Sequence, residues 1–104
     1  MTFNDKRYKF LLMIKSFRCK DTQRLFETGK SRRWSVVLGI AERKLVQLDS
    51  AEELRDLASP PGNRLESLRG DRAGQYSIRL NDKWRICFRW TAAGPEDVEI
   101  VDYH

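Results

Sequence analysis

Apolar positions change their spacing at about residue 60 of this 104-residue chain. Before that point they recur with helical period. Trp34, Val37, Leu38, Ala41, Leu45 and Leu48 follow an i, i+3, i+4, i+7 order and predict one long amphipathic helix. A shorter helix is expected from Asp21, whose carboxylate can cap it, to Thr28, with Gly29 as its stop. Ser50-Ala51-Glu52-Glu53 has the Ser-x-x-Glu form of a capping box and predicts a further turn or two through Leu54 and Leu57. Ser59-Pro60-Pro61-Gly62-Asn63 then breaks helical structure.

Beyond the break the period is two. Tyr76, Ile78 and Leu80 alternate with Gln75, Ser77 and Arg79, and Trp84, Ile86, Phe88 and Trp90 alternate with Arg85, Cys87 and Arg89. Ala92-Ala93-Gly94-Pro95 reads as a turn and 97–103 as a last strand. Ile14-Lys15-Ser16-Phe17-Arg18, after Met13, reads as a first short strand. The order β-α-α-β-β-β predicts an α+β domain with helices on one face of a largely antiparallel sheet and the other sheet face polar. Residues 13–104 form this single domain. Residues 1–12 show no helical period or cap and read as an N-terminal extension, disordered or contributed by an upstream start.

The 40% hydrophobic content supports a packed core rather than a disordered chain. Cys19 and Cys87 are far apart with no metal spacing and, with no signal peptide in view, read as reduced thiols in a cytoplasmic protein. Phe10–Ile14 is too short for a membrane span. Net charge is +5, distributed as +8 over residues 1–48, −3 over 49–63, +4 over 64–93 and −4 over 94–104. A basic body suits a polyanionic partner such as nucleic acid, although charge alone fits a solvated basic surface equally well.

Pattern adds what charge lacks. Leu80 and Trp84 must face the same side, so Asn81-Asp82-Lys83 connects the hairpin. That register sets Arg79 opposite Arg85, Ser77 opposite Cys87 and Gln75 opposite Arg89, on the solvent-facing side. Like charges directly opposite destabilise a strand pair. Two facing arginines either splay into water or hold an anion such as a phosphate between them. Arg64, Arg69 and Arg72 lie just upstream in a loop with Gly70 and Gly74, whose backbone can approach a ligand closely. Trp84, Phe88 and Trp90 read as core rather than a base-stacking platform, Cys87 as an inert strand thiol, and Glu42-Arg43-Lys44 as a solvated helix face.

The chain ends on Asp102-Tyr103-His104, and His104 is its one histidine. The last strand can carry this acid, phenol and imidazole beside the arginine-rich hairpin. Such a set suits RNA cleavage by internal attack: the 2′-OH loses a proton, the phosphorane is charge-stabilised and the 5′-oxygen gains a proton. That chemistry calls for no metal or cofactor, and one histidine with scattered acids makes no ligand cluster.

Several segments together resemble a known family: Met13-Ile14-Lys15-Ser16-Phe17, Ser59 to Glu66, Leu68-Arg69-Gly70-Asp71-Arg72, Tyr76 to Arg79, Asn81 to Phe88, and Val98 to His104. From Met13 to His104 the chain resembles the HigB toxins of the RelE/ParE toxin superfamily, in the group that includes GraT. The resemblance implies a RelE-like fold and the toxin of a type II toxin–antitoxin system. It also implies a ribosome-dependent endoribonuclease that cuts messenger RNA in the decoding site and stops translation. Its implied partners are a helix-turn-helix HigA-type antitoxin, the ribosome and messenger RNA, with operator DNA reached only through the antitoxin and no membrane. The family's catalytic positions fall on Arg69, Arg85, Asp102, Tyr103 and His104; Arg64, Arg72, Arg79, Lys83 and Arg89 are candidate RNA-binding residues. Two positions depart from some relatives, which have Lys at Arg69 and His at Glu66. An arginine stays charged and cannot be a base, so Arg69 would act electrostatically and the base lies between Tyr103 and His104. The alternative is a non-catalytic RNA- or ribosome-binding module in which the same arginines only grip backbone.

Overall fold

Leu25, Ala41, Leu45 and Leu48 from the helical half meet Ile78, Ile86, Phe88, Val98 and Ile100 from the strands, all buried. That packing sets the two layers. The computed structural model describes residues 13–102, so the 1–12 extension, Tyr103 and His104 lie outside the described residues. Helix α1 (Lys20–Thr28) and helix α2 (Leu38–Ser50) pack on one face of a sheet of β1 (Glu66–Ser67), β2 (Tyr76–Arg79), β3 (Trp84–Thr91) and β4 (Gly94–Asp102). The four strands lie in the order β1-β2-β3-β4, with every neighbouring pair antiparallel. The fold is α+β; the long helix starts later than its spacing predicts, with Trp34 and Val37 buried in and before a 3-10 turn over Ser35–Val37 and Ala41, Leu45 and Leu48 buried by α2 itself.

The helix ends follow local chemistry. Gly29 adopts φ +72° and donates its N–H to the Leu25 carbonyl (2.8 Å), the left-handed stop that glycine makes without strain. Asp21 is not the cap. Cys19 holds that position without a side-chain bond, while Asp21 sits in the first turn and pairs with Arg24 (4.0 Å) and Arg33 (3.4 Å). The capping box also falls elsewhere. Because α2 runs on to Ser50, the next turn, a 3-10 helix over Leu54–Ala58, opens at Glu53, which exchanges capping bonds with Asp56. Nor is Glu42-Arg43-Lys44 wholly solvated: Lys44 reaches the fully buried Asn63, and partial burial, with Arg43 alongside, lowers its pKa.

In place of a first strand over 14–18 there is a single parallel bridge between Phe17 and Val98. The segment runs along β4, with Lys15 N–H donating to the Pro95 carbonyl (2.8 Å) and Arg18 N–H to the Val98 carbonyl (3.0 Å). β4 is kinked at this point: Asp97 has φ +53° and the β3–β4 register slips between Cys87 and Arg89, which interrupts a continuous ladder. The turn before β4 is tighter than expected, since Thr91 already pairs with Gly94 around Ala92-Ala93.

The β2–β3 register is the one the alternation predicts, with Arg79 opposite Arg85 and Ser77 opposite Cys87. Asn81 fixes the connection by accepting the N–H groups of Lys83 (2.9 Å) and Trp84 (2.8 Å) through its side-chain oxygen. The predicted pairing of Gln75 with Arg89 is absent, because Gln75 precedes β2 and bonds its own loop, while Arg89 pairs with Glu96. The second face of the sheet is polar but not solvent-facing. Ser77 and Cys87 have no exposed surface and Arg85 retains 8%. The arginine-rich loop supplies β1 at the sheet edge, and its Gln75 and Leu68 are buried as well.

Candidate active site

Arg85 is the fixed point of the polar face. Its Nε donates to Ser77 Oγ (2.7 Å), and its Nη2 donates to the carbonyls of Arg64 (2.7 Å) and Ser77 (3.4 Å). Glu66 Oε1 lies 3.4 Å from the same Nη2. The Arg64 carbonyl reaches this position because Arg64 takes a left-handed conformation (φ 46°) at the end of the Pro61–Asn63 turn. A buried guanidinium needs hydrogen-bond partners, and Ser77 serves Nε while the Arg64 carbonyl and Glu66 serve Nη2. Arg85 is thus a rigid cation rather than a mobile surface arginine.

The two facing arginines turn to separate partners. Arg79 reaches its own carboxylate, Asp82, at the hairpin tip, while Arg85 turns to Glu66 and Arg64. Each guanidinium has a partner of its own, so the repulsion that suggested a phosphate between them is relieved within the protein.

The remaining candidates form a rim. Arg64 and Arg69 are exposed, and among the described residues neither guanidinium has an ion-pair partner. Arg69 opens the Gly70–Arg72 turn, where its carbonyl accepts the Arg72 N–H (3.2 Å). Gly70 (φ +63°) and Gly74 (φ +91°) shape this loop, and a Cβ on Gly74 would lie 3.0 Å from Arg89 Nη1. Arg89 also lies 3.6 Å from Asp97. Arg72 is half-buried and bonds both Glu99 Oε2 (3.0 Å) and Gln75 Oε1 (3.0 Å).

At the far end of β4, Asp102 is opposite Trp84, one pair beyond Val101 opposite Arg85. Its carboxylate lies 4.0 Å from Lys83 Nζ, and Lys83 sits over the Trp84 ring, 5.1 Å from the centroid. The strand therefore brings Asp102 to the Arg85 end of the hairpin but on the face of Trp84, whereas Arg85, Cys87 and Glu99 share the other face. Alternation alone does not reveal Ser77, Glu66 and Glu99 as partners of these arginines; the β2–β3 register signals only Ser77.

Cys87 lies under this layer. Burial, opposed by Arg72 and Arg85 and assisted by Glu99, pushes its thiol up to about 11, so it stays protonated and is no nucleophile at neutral pH. Among the described residues no three His, Cys, Asp or Glu side chains converge as a metal-ligand set, and no helix is long and apolar enough to cross a membrane.

A separate basic cleft of about 670 Å³ opens between α1 and the start of α2, lined by Arg24, Lys30, Arg32 and Arg33 with Asp21. Arg33 stacks over Trp34 (4.7 Å), which meets Trp84 edge-on (6.1 Å), so buried aromatic packing joins the cleft to the hairpin tip.

Comparison with known proteins places these features. The family model for the RelE-like toxin of the type II toxin–antitoxin system HigB matches residues 15–104. Toxin HigB-1 of Vibrio cholerae is 39% identical over 80 residues, covering 75% of this chain and 84% of that protein. Endoribonuclease HigB of Proteus vulgaris is 31% identical over 98 residues, covering 88% of this chain and 100% of that protein. Among solved structures, the fold matches YoeB in the YoeB–YefM complex from Staphylococcus aureus (TM-score 0.56, 16% identity, 89% of this chain and 97% of that one). It also matches the YoeB dimer from the same organism (TM-score 0.54, 17% identity, 90% and 98%). With a family model spanning nearly the whole described domain and relatives above 30% identity, the chain belongs to the HigB-like toxins of type II toxin–antitoxin systems.

Proposed function

We propose that this toxin is a ribosome-dependent endoribonuclease that cuts messenger RNA by internal attack of a 2′-OH. The observation that carries the reading is the Arg85 cradle: a nearly buried cation, held through Nε and Nη2, close to the end of the last strand, with exposed Arg64 and Arg69 at its rim. The name of the Proteus vulgaris relative supports the activity. In the reaction a base removes the 2′-OH proton and the 2′-oxygen attacks phosphorus. The 5′-oxygen then leaves with a proton from an acid, giving a 2′,3′-cyclic phosphate and a 5′-OH. Arg69 and Arg85 stabilise the phosphorane charge, while Arg72 and Arg79 are paired with Glu99 and Asp82 and add little net field. Tyr103 or His104 takes the 2′-OH proton and Asp102 orients them.

The basic α1–α2 cleft gives structured RNA a second hold, in keeping with action on the ribosome. The cognate partner is a helix-turn-helix antitoxin of HigA type, and the site of action is the cytoplasm. The test maps 5′ ends of messenger with and without ribosomes for wild type, Arg85→Ala and a His104 deletion. Wild type yields new 5′-OH ends, with a 2′,3′-cyclic phosphate on the matching upstream fragments, only with ribosomes, and both variants lose them. Binding to ribosomes without any cleaved product would leave a non-catalytic binding module; full cleavage by both variants would overturn the site.

A further inference from the structure

The loop that carries Arg69 and the strand β4 are separate pieces of chain, and an ion pair joins them. Arg72 Nη1 lies 3.0 Å from Glu99 Oε2, on β4 three positions before Asp102. The same nitrogen is 3.0 Å from Gln75 Oε1. Gln75 in turn donates its N–H to the Arg72 carbonyl (3.0 Å) and accepts the Leu68 N–H (2.8 Å). Arg69 sits inside that closed loop, its carbonyl bonded to the Arg72 N–H. Glu99 is only 14% exposed, and Arg18 Nε lies 3.9 Å from the same Oε2.

We infer that Arg72 and Glu99 form a strut that fixes the distance between Arg69 and the C-terminal half of β4, so that both are positioning residues for cleavage. This rests on the endoribonuclease reading above and extends it to two residues that need not touch RNA. The chemistry favours this use of Arg72 over direct phosphate binding. A phosphate would have to displace a carboxylate already in hydrogen-bond range, at a site where solvent screening is reduced. The exposed guanidinia of Arg64 and Arg69 offer phosphate a cheaper site. The strut also spans the layer above Cys87, which stands opposite Glu99 on β3, so loosening it shifts the loop as a unit instead of one side chain.

A displacement on the order of 1 Å at reacting groups costs roughly 100-fold in rate, so the strut reads out in kcat. The experiment measures ribosome-dependent cleavage by full-length wild type, Arg72→Ala, Glu99→Ala, the double variant and Arg72→Lys, alongside thermal denaturation of each. Either alanine variant should lower kcat by roughly 10- to 100-fold with KM within about twofold of wild type. The double variant should be no worse than either single one, and Arg72→Lys, which keeps the charge, should recover much of the rate. If Arg72 instead binds RNA directly, Arg72→Ala raises KM, Glu99→Ala cleaves at the wild-type rate and the effects add; that result overturns the strut. Should an alanine variant fail to fold, Arg72→Lys and Glu99→Gln decide by the same kcat and KM criteria. Loss of cleavage in wild type itself would reject the endoribonuclease reading, whereas intact wild type with an unaffected Glu99→Ala rejects the strut alone.

Discussion

Replacing Arg85 with alanine removes the side chain that ties the 64–66 segment to β2 and β3, and the structure sets the size of the loss. Three bonds disappear, to Ser77 Oγ, the Arg64 carbonyl and the Ser77 carbonyl. Ser77 has no exposed surface, so its hydroxyl is left unsatisfied; a buried group abandoned in this way costs about 1–3 kcal/mol. Loss of the bond to the Arg64 carbonyl adds about 1–2 kcal/mol. Glu66 is half exposed, returns to water and adds little. The expected total is about 3 kcal/mol, or a fall in Tm on the order of 10–20 °C for a domain of this size.

Urea denaturation of purified wild type, Arg85→Ala and Arg85→Lys measures this directly. Arg85→Lys should fall between the other two, since an ammonium keeps the charge but loses the planar fork that serves Ser77 and Arg64 together. Cleavage is read separately, well below each Tm, where Arg85→Ala should lose at least about 100-fold in kcat. A destabilisation of Arg85→Ala below about 0.5 kcal/mol would show that the cradle contributes almost nothing to folding. Arg85 would then not be a rigid, pre-positioned cation, even if activity were lost.

Three further outcomes follow from named residues. Cys87 is protonated in the fold, its thiol raised by burial from 9.0 to about 11; the stability this gives is intact below pH 9 and lost as pH climbs through 11. Urea melts of wild type against Cys87→Ala should converge by roughly 2–3 kcal/mol between pH 8 and pH 11, and a flat difference contradicts the assignment. In the α1–α2 cleft, Lys30→Glu with Arg32→Glu should weaken ribosome binding, with kcat unchanged. The salt dependence of that binding should flatten by about one unit of log–log slope for each phosphate the cleft no longer neutralises. Asn63→Ala strips a fully buried amide that serves Gln47 (3.1 Å), the Leu57 carbonyl (3.0 Å) and Lys44, and should cost about 2–3 kcal/mol in urea melts without changing the cleavage pattern.

The elements that could be read from the sequence are those governed by one-dimensional periods. The buried stripe of α2 and the alternation of β2 and β3 fixed face and register because a one-residue error would have exposed Ile78, Ile86 and Phe88. Element ends were less legible because several residues compete for each cap. Asp21 serves α1 through its first turn and two arginines instead of at the N-cap, and Glu53 takes a role for which Ser50 has the better local pattern. The 14–18 segment has strand composition, yet only one bridge forms because β4 is kinked at Asp97. No reading of residues 14–18 alone contains that kink.

The site shows the same limit in a sharper form. Alternation puts Ser77, Arg79, Arg85 and Cys87 on one face, and polarity alone assigns that face to water. Periodicity reports which side chains share a face and is silent on what covers it. Here the sequence neighbour of the hairpin, the arginine-rich loop, adds β1 to the sheet edge and leaves a buried polar layer. Burial changes the chemistry of every group in it. Cys87 becomes inert, Arg85 becomes a fixed cation with its own acceptors, and Arg72 finds Glu99 before any phosphate does. Of the seven basic residues between 64 and 93, those left outward with no carboxylate near them, Arg64 and Arg69 foremost, are therefore the ones best placed to meet RNA. Charge made all seven look equivalent; desolvation separates the arginines that build the site from those that can receive a substrate.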